Sequence, residues 1–421
     1  MSGEMMHRKW DMKALAPVDL AWLASVVAVV GLSASKAALS ISTGALAFAA
    51  VWQMAREGSI RGLWRDRTGS IQTLLFFLPL VSVLYTEHYG IWQEEMVVKL
   101  PLLALPLAYS ILPRFSEKQF FGILFIFILT LSIISVLTLI RYFQDFTLIT
   151  ESIKYNKHIS IVRKTSHIHF GLMLAFSVFA GVIHLRTGRQ FFHPAERGIL
   201  LLCVLTNFIS LHVLTSRSGI VAFYGALVLI SIILMVQKRA FKQGLAVLAF
   251  VILVPLVSYL AIPSFQNRVN ITRYDLEQSL NPQENLSIYS LGMRTLAWKT
   301  TWKVFLKHPV FGTAPADLET ELLRQYEADG IVLNLSTPMH RPHNQYLEQL
   351  AGLGIVGIIA LFFVLLHPLI FNKGENSIVF WSFLVMFMLI MLVESLLERQ
   401  ITIAFYSIFY LLLPRMDWLR I

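Results

Sequence analysis

Three residues far apart in the chain carry side chains suited to phosphate and proton chemistry: Arg217, Arg294 and His343. His343 lies in His340-Arg341-Pro342-His343-Asn344-Gln345-Tyr346-Leu347-Glu348-Gln349-Leu350, where Pro342 breaks preceding structure and favours a helix start just after it. A neutral imidazole at a helix mouth can take a proton near physiological pH, as a general base must. A solvated or structural histidine is the other reading, and His340 reads as a bystander or helper. Arg217 sits in Thr215-Ser216-Arg217-Ser218-Gly219, a tight turn between two apolar runs. Its guanidinium cannot lose its proton, so it needs a carboxylate, a carbonyl, a phosphate or water.

Arg294 belongs to a stretch from Leu291 to Lys307 with helical period. Lys299, Lys303 and Lys307 share one face, while Arg294, Trp298, Thr301 and Phe305 share the other, so Arg294 keeps company with aromatic residues. Either a surface-lying helix lets Arg294 snorkel to headgroups, or the arginine is aimed at a lipid-linked phosphate. Two planar donor forks on one side of a membrane suit a pyrophosphate. A further cluster, Arg163, Lys164, His167 and His169, reads either as a headgroup anchor or as one wall of a substrate cavity.

The elements that must position these groups are helices in lipid. The chain has 421 residues, 56% hydrophobic and only 14% charged, with a mean hydropathy of +0.65; a soluble protein carries roughly 25% charged residues. Apolar runs of bilayer-spanning length recur near 18–35, 37–55, 71–87, 96–112, 120–142, 167–186, 198–216, 218–236, 242–263, 346–370, 378–398 and 401–419. The expectation is an all-α polytopic membrane protein of about twelve transmembrane helices. One large hydrophilic loop, 264–345, falls between the ninth and tenth helices of a single membrane domain spanning 1–421.

Charge supplies the orientation. Arg8, Lys9 and Lys13, then Arg56, Arg61, Arg65 and Arg67, then Arg186, Arg189 and Arg197, then Lys238, Arg239 and Lys242 fall in alternate connections, which places those on the cytoplasmic side. The opposite connections hold Lys36 and the acidic Glu87, Glu94 and Glu95; the Glu94-Glu95 pair reads as a solvated loop. The stretch from Arg141 to Ser166 breaks the rule with five cations. The net charge of +10 is scattered between apolar runs rather than gathered in a basic block, which argues against nucleic acid as a partner. A single cysteine, Cys203, allows no intrachain disulfide. No Asp-x-Asp occurs, so no metal site of clustered carboxylates is expected, and no cofactor.

The motifs resemble a known family. His343-Asn344-Gln345-Tyr346-Leu347 followed by Gly352-Leu353-Gly354-Ile355-Val356-Gly357, the turn Ser216-Arg217-Ser218-Gly219, and Arg294 with Lys307-His308-Pro309-Val310-Phe311-Gly312 are similar in order and spacing to the O-antigen ligase and polymerase superfamily. Where members of that family often continue with Gly-x-Gly, this chain has Gly312-Thr313-Ala314. The resemblance implies a metal-independent, GT-C type glycosyltransferase at the periplasmic face of the bacterial inner membrane. It would move a glycan from an undecaprenyl diphosphate carrier to a lipid A-core hydroxyl, with His343 as catalytic base and Arg217 and Arg294 on the diphosphate. Arg163, His169, His340 and Asn344 join them as substrate-binding candidates.

Three readings remain at this stage. The long late loop and about twelve spans favour the ligase branch, which completes lipopolysaccharide. A polymerase extending carrier-linked repeats uses the same motifs. A glycolipid transporter or flippase would draw on Glu394 and Glu398, one turn apart near the outer end of the eleventh run, although transporters place such groups nearer the bilayer midplane; the other reading of the two carboxylates is pairing with an arginine at the site.

Overall fold

The computed structural model describes residues 16–58, 67–162, 165–187, 195–236, 239–280, 290–331, 340–371 and 378–415. Among these, nine helical stretches are long and apolar enough to cross a membrane: Pro17–Ala34, Lys36–Glu57, Arg67–Leu84, Glu117–Gln144, His167–Arg186, Glu196–Val213, Arg217–Val236, Phe241–Ala261 and Gln345–Pro368. Two shorter apolar helices, Ile378–Met391 and Gln400–Leu412, complete the bundle. The described residues contain no strand, so the all-α polytopic membrane architecture expected from hydropathy is the one found.

Two expected spans differ in form. The run 96–112 is two helices, Tyr89–Lys99 and Pro101–Ile111, because Pro101 takes the first-turn position that its missing N–H tolerates and starts a new helix there. The run 378–398 ends as helix at Met391 and continues as a turn through Leu392–Glu398. That turn brings Glu394 and Glu398 to the end of the bundle.

We number the helices that build the site in chain order: α1 is Tyr89–Lys99, α2 Glu117–Gln144, α3 Phe146–Ile153, α4 His167–Thr187, α5 Arg217–Val236, α6 Pro263–Leu280, α7 Ser290–Lys307, α8 Leu318–Ala328, α9 Gln345–Phe371 and α10 Ile378–Met391. The centre of the bundle is aromatic. Phe127 of α2, Phe176 of α4, Phe383 of α10, and Phe405 and Phe409 of the last helix meet ring on ring, with Phe176 4.7 Å from Phe409 and Phe127 5.0 Å from Phe409. Interhelical hydrogen bonds tie α2 and α4 through Asn207 of the helix Glu196–Val213. Ser132 Oγ donates to Asn207 Oδ1 at 3.1 Å, and Asn207 Nδ2 donates to Ser177 Oγ at 3.0 Å. Each such bond is worth a kilocalorie or so in an apolar surrounding, about 0.6–2 kcal/mol.

The segment after residue 262 folds as α6, α7 and α8 over one end of the bundle, with a small core of its own. Val304, Phe305, Leu318, Leu322 and Tyr326 pack with Ala351 of α9. The expected faces of α7 are realised: Thr301 and Phe305 are buried while Lys299, Lys303 and Lys307 are exposed. Asp317 fastens this segment to the turn before α1, accepting from Thr86 Oγ1 at 2.8 Å, Glu87 N at 2.9 Å and His88 N at 3.1 Å.

A backbone lock joins the two glycine-bearing motifs. Gly354 adopts φ 66° and interrupts α9; a Cβ there would lie 2.1 Å from Val310 O. Only glycine offers both the conformation and the clearance. The break lets Thr313 N reach Ala351 O at 2.9 Å and Ile355 N reach Pro309 O at 2.9 Å, so the Lys307-to-Gly312 segment and the mouth of α9 move as one piece.

Candidate functional site

Arg217 begins α5, two residues after Thr215, whose φ of 52° is rare for a β-branched residue. The turn is pinned to α4: Ser216 Oγ donates to His167 O at 2.9 Å, and Gly171 meets Gly219 so closely that a Cβ on Gly219 would lie 2.7 Å from the Gly171 backbone. From this turn Arg217 donates through Nη2 to Asn156 Oδ1 at 2.9 Å and pairs through Nη1 with Asp275 Oδ2 of α6 at 3.5 Å. Its Nε has no partner among the described residues.

A second guanidinium stands beside it. Arg268 of α6, only 3% exposed, donates through Nη1 to the same Asn156 Oδ1 at 3.2 Å and through Nη2 to Lys157 O at 2.5 Å. Burial first, then the Arg217 charge, push its pKa down to about 10, with Asp275 opposing; it stays protonated at neutral pH. Arg294 completes the group. It has no hydrogen-bond or ion-pair partner among the described residues, and burial, together with Arg217, lowers its pKa while Glu394 opposes the shift.

His158 reports how close these charges are. Its ring stacks on His167 at 3.6 Å between centroids. Its pKa is pushed well below the ordinary value, by desolvation first and then by His167, Arg268, Arg217 and Arg294. The imidazole keeps an exposed edge, so solvent screens part of this effect. A cavity of about 730 Å³ opens beside the stack, lined by Arg141, Asp145, Ser152, Lys157, His158 and His167 among others. That volume suits a sugar-sized ligand.

His343 stands at the mouth of α9 with φ 47°, a left-handed conformation that histidine adopts more readily than most residues. Its Nδ1 lies 3.4 Å from Glu394 Oε2. Burial alone would raise the Glu394 pKa, but the contact with His343 and the charges of His343, His169 and Arg294 lower it below the usual carboxylate value. Glu394 therefore faces both the imidazole and the third guanidinium.

The sequence-level candidates are distributed as follows. Arg217, Arg294 and His343 come to the same end of the bundle. His169 is buried in the first turn of α4, its Nε2 without a partner among the described residues, and it faces Glu394. Asn344 has a capping role: its Oδ1 accepts from Tyr346 N at 3.0 Å and Leu347 N at 3.1 Å, closing the start of α9. His340 sits against α8, with Nδ1 2.7 Å from Glu319 Oε1. Arg163 lies outside the described residues.

Residues 200–362 match the family model described as "O-Antigen ligase", a stretch that contains Arg217, Arg268, Arg294 and His343. The match covers less than half of the chain and is a likeness to that family over the stretch that carries these residues. A relative from Haemophilus influenzae, described as "Uncharacterized protein", is 26% identical over 222 residues, covering 51% of this chain and 53% of its own length. The chain thus spans about half the length of the curated relative it matches.

The site rests on a largely buried ionic clamp that sequence reasoning missed. Arg341 Nη2 lies 2.6 Å from Glu95 Oε1, and its Nη1 lies 2.8 Å from Glu348 Oε1 and 3.4 Å from Glu398 Oε2. Lys99 pairs with Glu398 as well. Burial works against the Arg341 charge, yet the three carboxylates outweigh it and raise its pKa. Glu94 is exposed as expected of a solvated pair, but Glu95 is buried. The correction has a simple cause: the segment just before α9 brings Arg341 over α1, and one carboxylate of the pair turns inward to it.

Arg268 and Glu394 were also missed as site members. Arg268 is one of several polar residues in α6, and nothing local marks it. Glu394 was visible as an ionisable group in an apolar run, which is the signal that finds such residues, but its partner lies in another helix's mouth.

Proposed function

We propose that this protein is an O-antigen ligase that transfers a glycan from undecaprenyl diphosphate to a hydroxyl of the lipid A core. Arg217 and Arg294, reinforced by Arg268, hold the diphosphate and stabilise the charge it gains on leaving. His343 takes the proton of the attacking hydroxyl. The base stands on one side of the scissile bond and the cations on the other, so a single displacement inverts the anomeric centre. Neither a metal nor a cofactor is needed: guanidinium groups already sit where charge develops, and fixed cations there supply a large share of catalysis.

One observation carries this reading: Arg294, half-buried and without a hydrogen-bond or ion-pair partner among the described residues, is subject to the charges of both Arg217 and Glu394. An unpaired guanidinium in such a place calls for an anion. Apart from the cation-rich 141–166 stretch, the connections at the site's end of the bundle are those expected to be cation-poor, whereas Arg56, Arg67, Arg186, Arg197, Arg239 and Lys242 lie at the other. This supports a multi-pass inner-membrane protein whose site opens to the periplasm. The 263–345 segment would then be a periplasmic cap on a single membrane domain.

The test is reconstitution of the full-length protein in liposomes with carrier-linked glycan and lipid A-core, followed by mass analysis of products. Glycan joined to lipid A-core with release of undecaprenyl diphosphate is the expected result. Growth of glycan on the carrier would identify a polymerase, and movement of the carrier lipid without bond transfer would identify a transporter; either result would replace the ligase reading.

A further inference from the structure

Glu394 lies beyond residues 200–362, and no short motif links it to His343. The structure nonetheless fixes the two side chains against each other. Glu394 is 8% exposed and places Oε2 3.4 Å from His343 Nδ1. The turn that carries it is clamped to the first turn of α9, immediately after His343. Ser395 Oγ donates to Glu348 Oε2 at 2.7 Å, and Leu397 N donates to Gln345 Oε1 at 2.7 Å. Glu394 N in turn holds Ile390 O at 2.9 Å. The carboxylate is therefore delivered from a rigid turn to a rigid helix mouth.

The neighbouring cations do not compete for this carboxylate as ion-pair partners. Lys99 and Arg341 are taken up by Glu95, Glu348 and Glu398. The titratable and charged groups that face Glu394 are His343 before α9, His167 and His169 of α4 and Arg294 of α7, with Arg399 beside His169. Among the described residues, His343 alone is within ion-pair distance. With Nδ1 turned to Glu394, Nε2 is the ring nitrogen left for a ligand.

We propose that Glu394 is the positioning residue of the catalytic base: it accepts the Nδ1 proton of His343, fixes the tautomer with its lone pair on Nε2, and stabilises the imidazolium formed during transfer. This inference rests on reading His343 as the base. In the step itself, Nε2 takes the proton of the acceptor hydroxyl as that oxygen bonds to the anomeric carbon. The bond from that carbon to the phosphate oxygen breaks, and its electron pair leaves with undecaprenyl diphosphate. The imidazolium then returns its proton to water, and Glu394 remains a carboxylate throughout. A contact of 3.4 Å is long for a hydrogen bond, as such contacts commonly are before substrate tightens them.

The experiment is steady-state transfer by full-length Glu394→Gln, Glu394→Asp, His343→Ala and the Glu394→Gln/His343→Ala double variant in liposomes. Glu394→Gln should lower kcat about 10- to 100-fold, part of the 10²–10⁴ that a general base supplies, with donor KM within about twofold of wild type. Glu394→Asp, which restores the charge, should recover most of the loss. In the His343→Ala background Glu394→Gln should change the rate less than about twofold, because residues acting as a unit are not additive. Equal losses in both backgrounds would assign Glu394 a merely structural role and overturn the proposal. Wild-type kcat in Glu394→Gln with inactive His343→Ala would overturn it while leaving the base in place; active His343→Ala would remove the base and this proposal together. Should the Gln variant fail to fold, Glu394→Ala takes its place: a kcat loss at unchanged donor KM that disappears in the His343→Ala background supports the proposal, and wild-type kcat overturns it.

Discussion

Arg217 and Arg268 share one acceptor: Asn156 Oδ1 receives Nη2 of the first at 2.9 Å and Nη1 of the second at 3.2 Å. Two guanidinium groups are thus held side by side by a neutral amide, with Asp275, against Arg217, the only carboxylate within ion-pair distance of either among the described residues. Such a pair keeps an excess of positive charge available for a ligand. Asn156 itself has φ 60°, a conformation that asparagine and aspartate both tolerate.

Asn156→Asp should therefore leave the backbone alone and spend the positive charge internally. The expected outcome is a rise in donor KM of about tenfold, the equivalent of one charge-assisted contact of ~1.5 kcal/mol, with no fall in thermal stability. Steady-state transfer at varied donor and a melting curve in detergent check both parts.

The His158 imidazole is held neutral among cations, its folded pKa lying below the unfolded value of about 6.5. Below pH 6.5 the unfolded chain binds a proton that the folded chain resists, so stability is fully present above that pH and is lost as pH falls toward the lowered value. Tm should drop between pH 7 and pH 5, and His158→Gln should flatten that part of the profile. Melting curves across the range measure it.

The Arg341 clamp should be costly to break. Arg341→Met leaves Glu95, Glu348 and Glu398 with Lys99 alone, and removing one partner of a buried ionic cluster costs about 3–5 kcal/mol. Arg341→Lys keeps the charge but loses the fork that reaches several carboxylates, so its loss should be smaller. Thermal unfolding of the two variants in detergent should rank them in that order.

Ala314 has φ 76° and ψ 140°, unfavourable for a residue with a Cβ, and it is fully buried. It is the third residue of the Gly312-Thr313-Ala314 segment. Relief of backbone strain, of order 1–3 kcal/mol, should outweigh the lost methyl. Ala314→Gly should raise Tm by a few degrees, whereas Gly354→Ala should lower it, because its Cβ meets Val310 O.

Much of this molecule was legible from residue type and period. Charged residues are rare in a chain of this hydropathy, so Arg217, Arg294 and His343 stood out, and the face that pairs Arg294 with Trp298 and Phe305 followed from helical spacing. Residues whose meaning lies in a distant partner were not legible. Glu95 looks solvated until α9 brings Arg341 over it; Arg268 looks ordinary until Asn156 bridges it to Arg217. The split at Pro101 follows a local rule that hydropathy alone ignores, and the break at Gly354 exists because the 308–312 segment must dock there.

The most direct measurement is the transfer rate of His343→Ala at saturating donor and acceptor, in liposomes, beside a donor-binding measurement on the same protein. A fall of about 10²–10⁴-fold with donor binding retained is the predicted result. A near wild-type rate would contradict the assignment of the base and, with it, the chemistry built around these arginines.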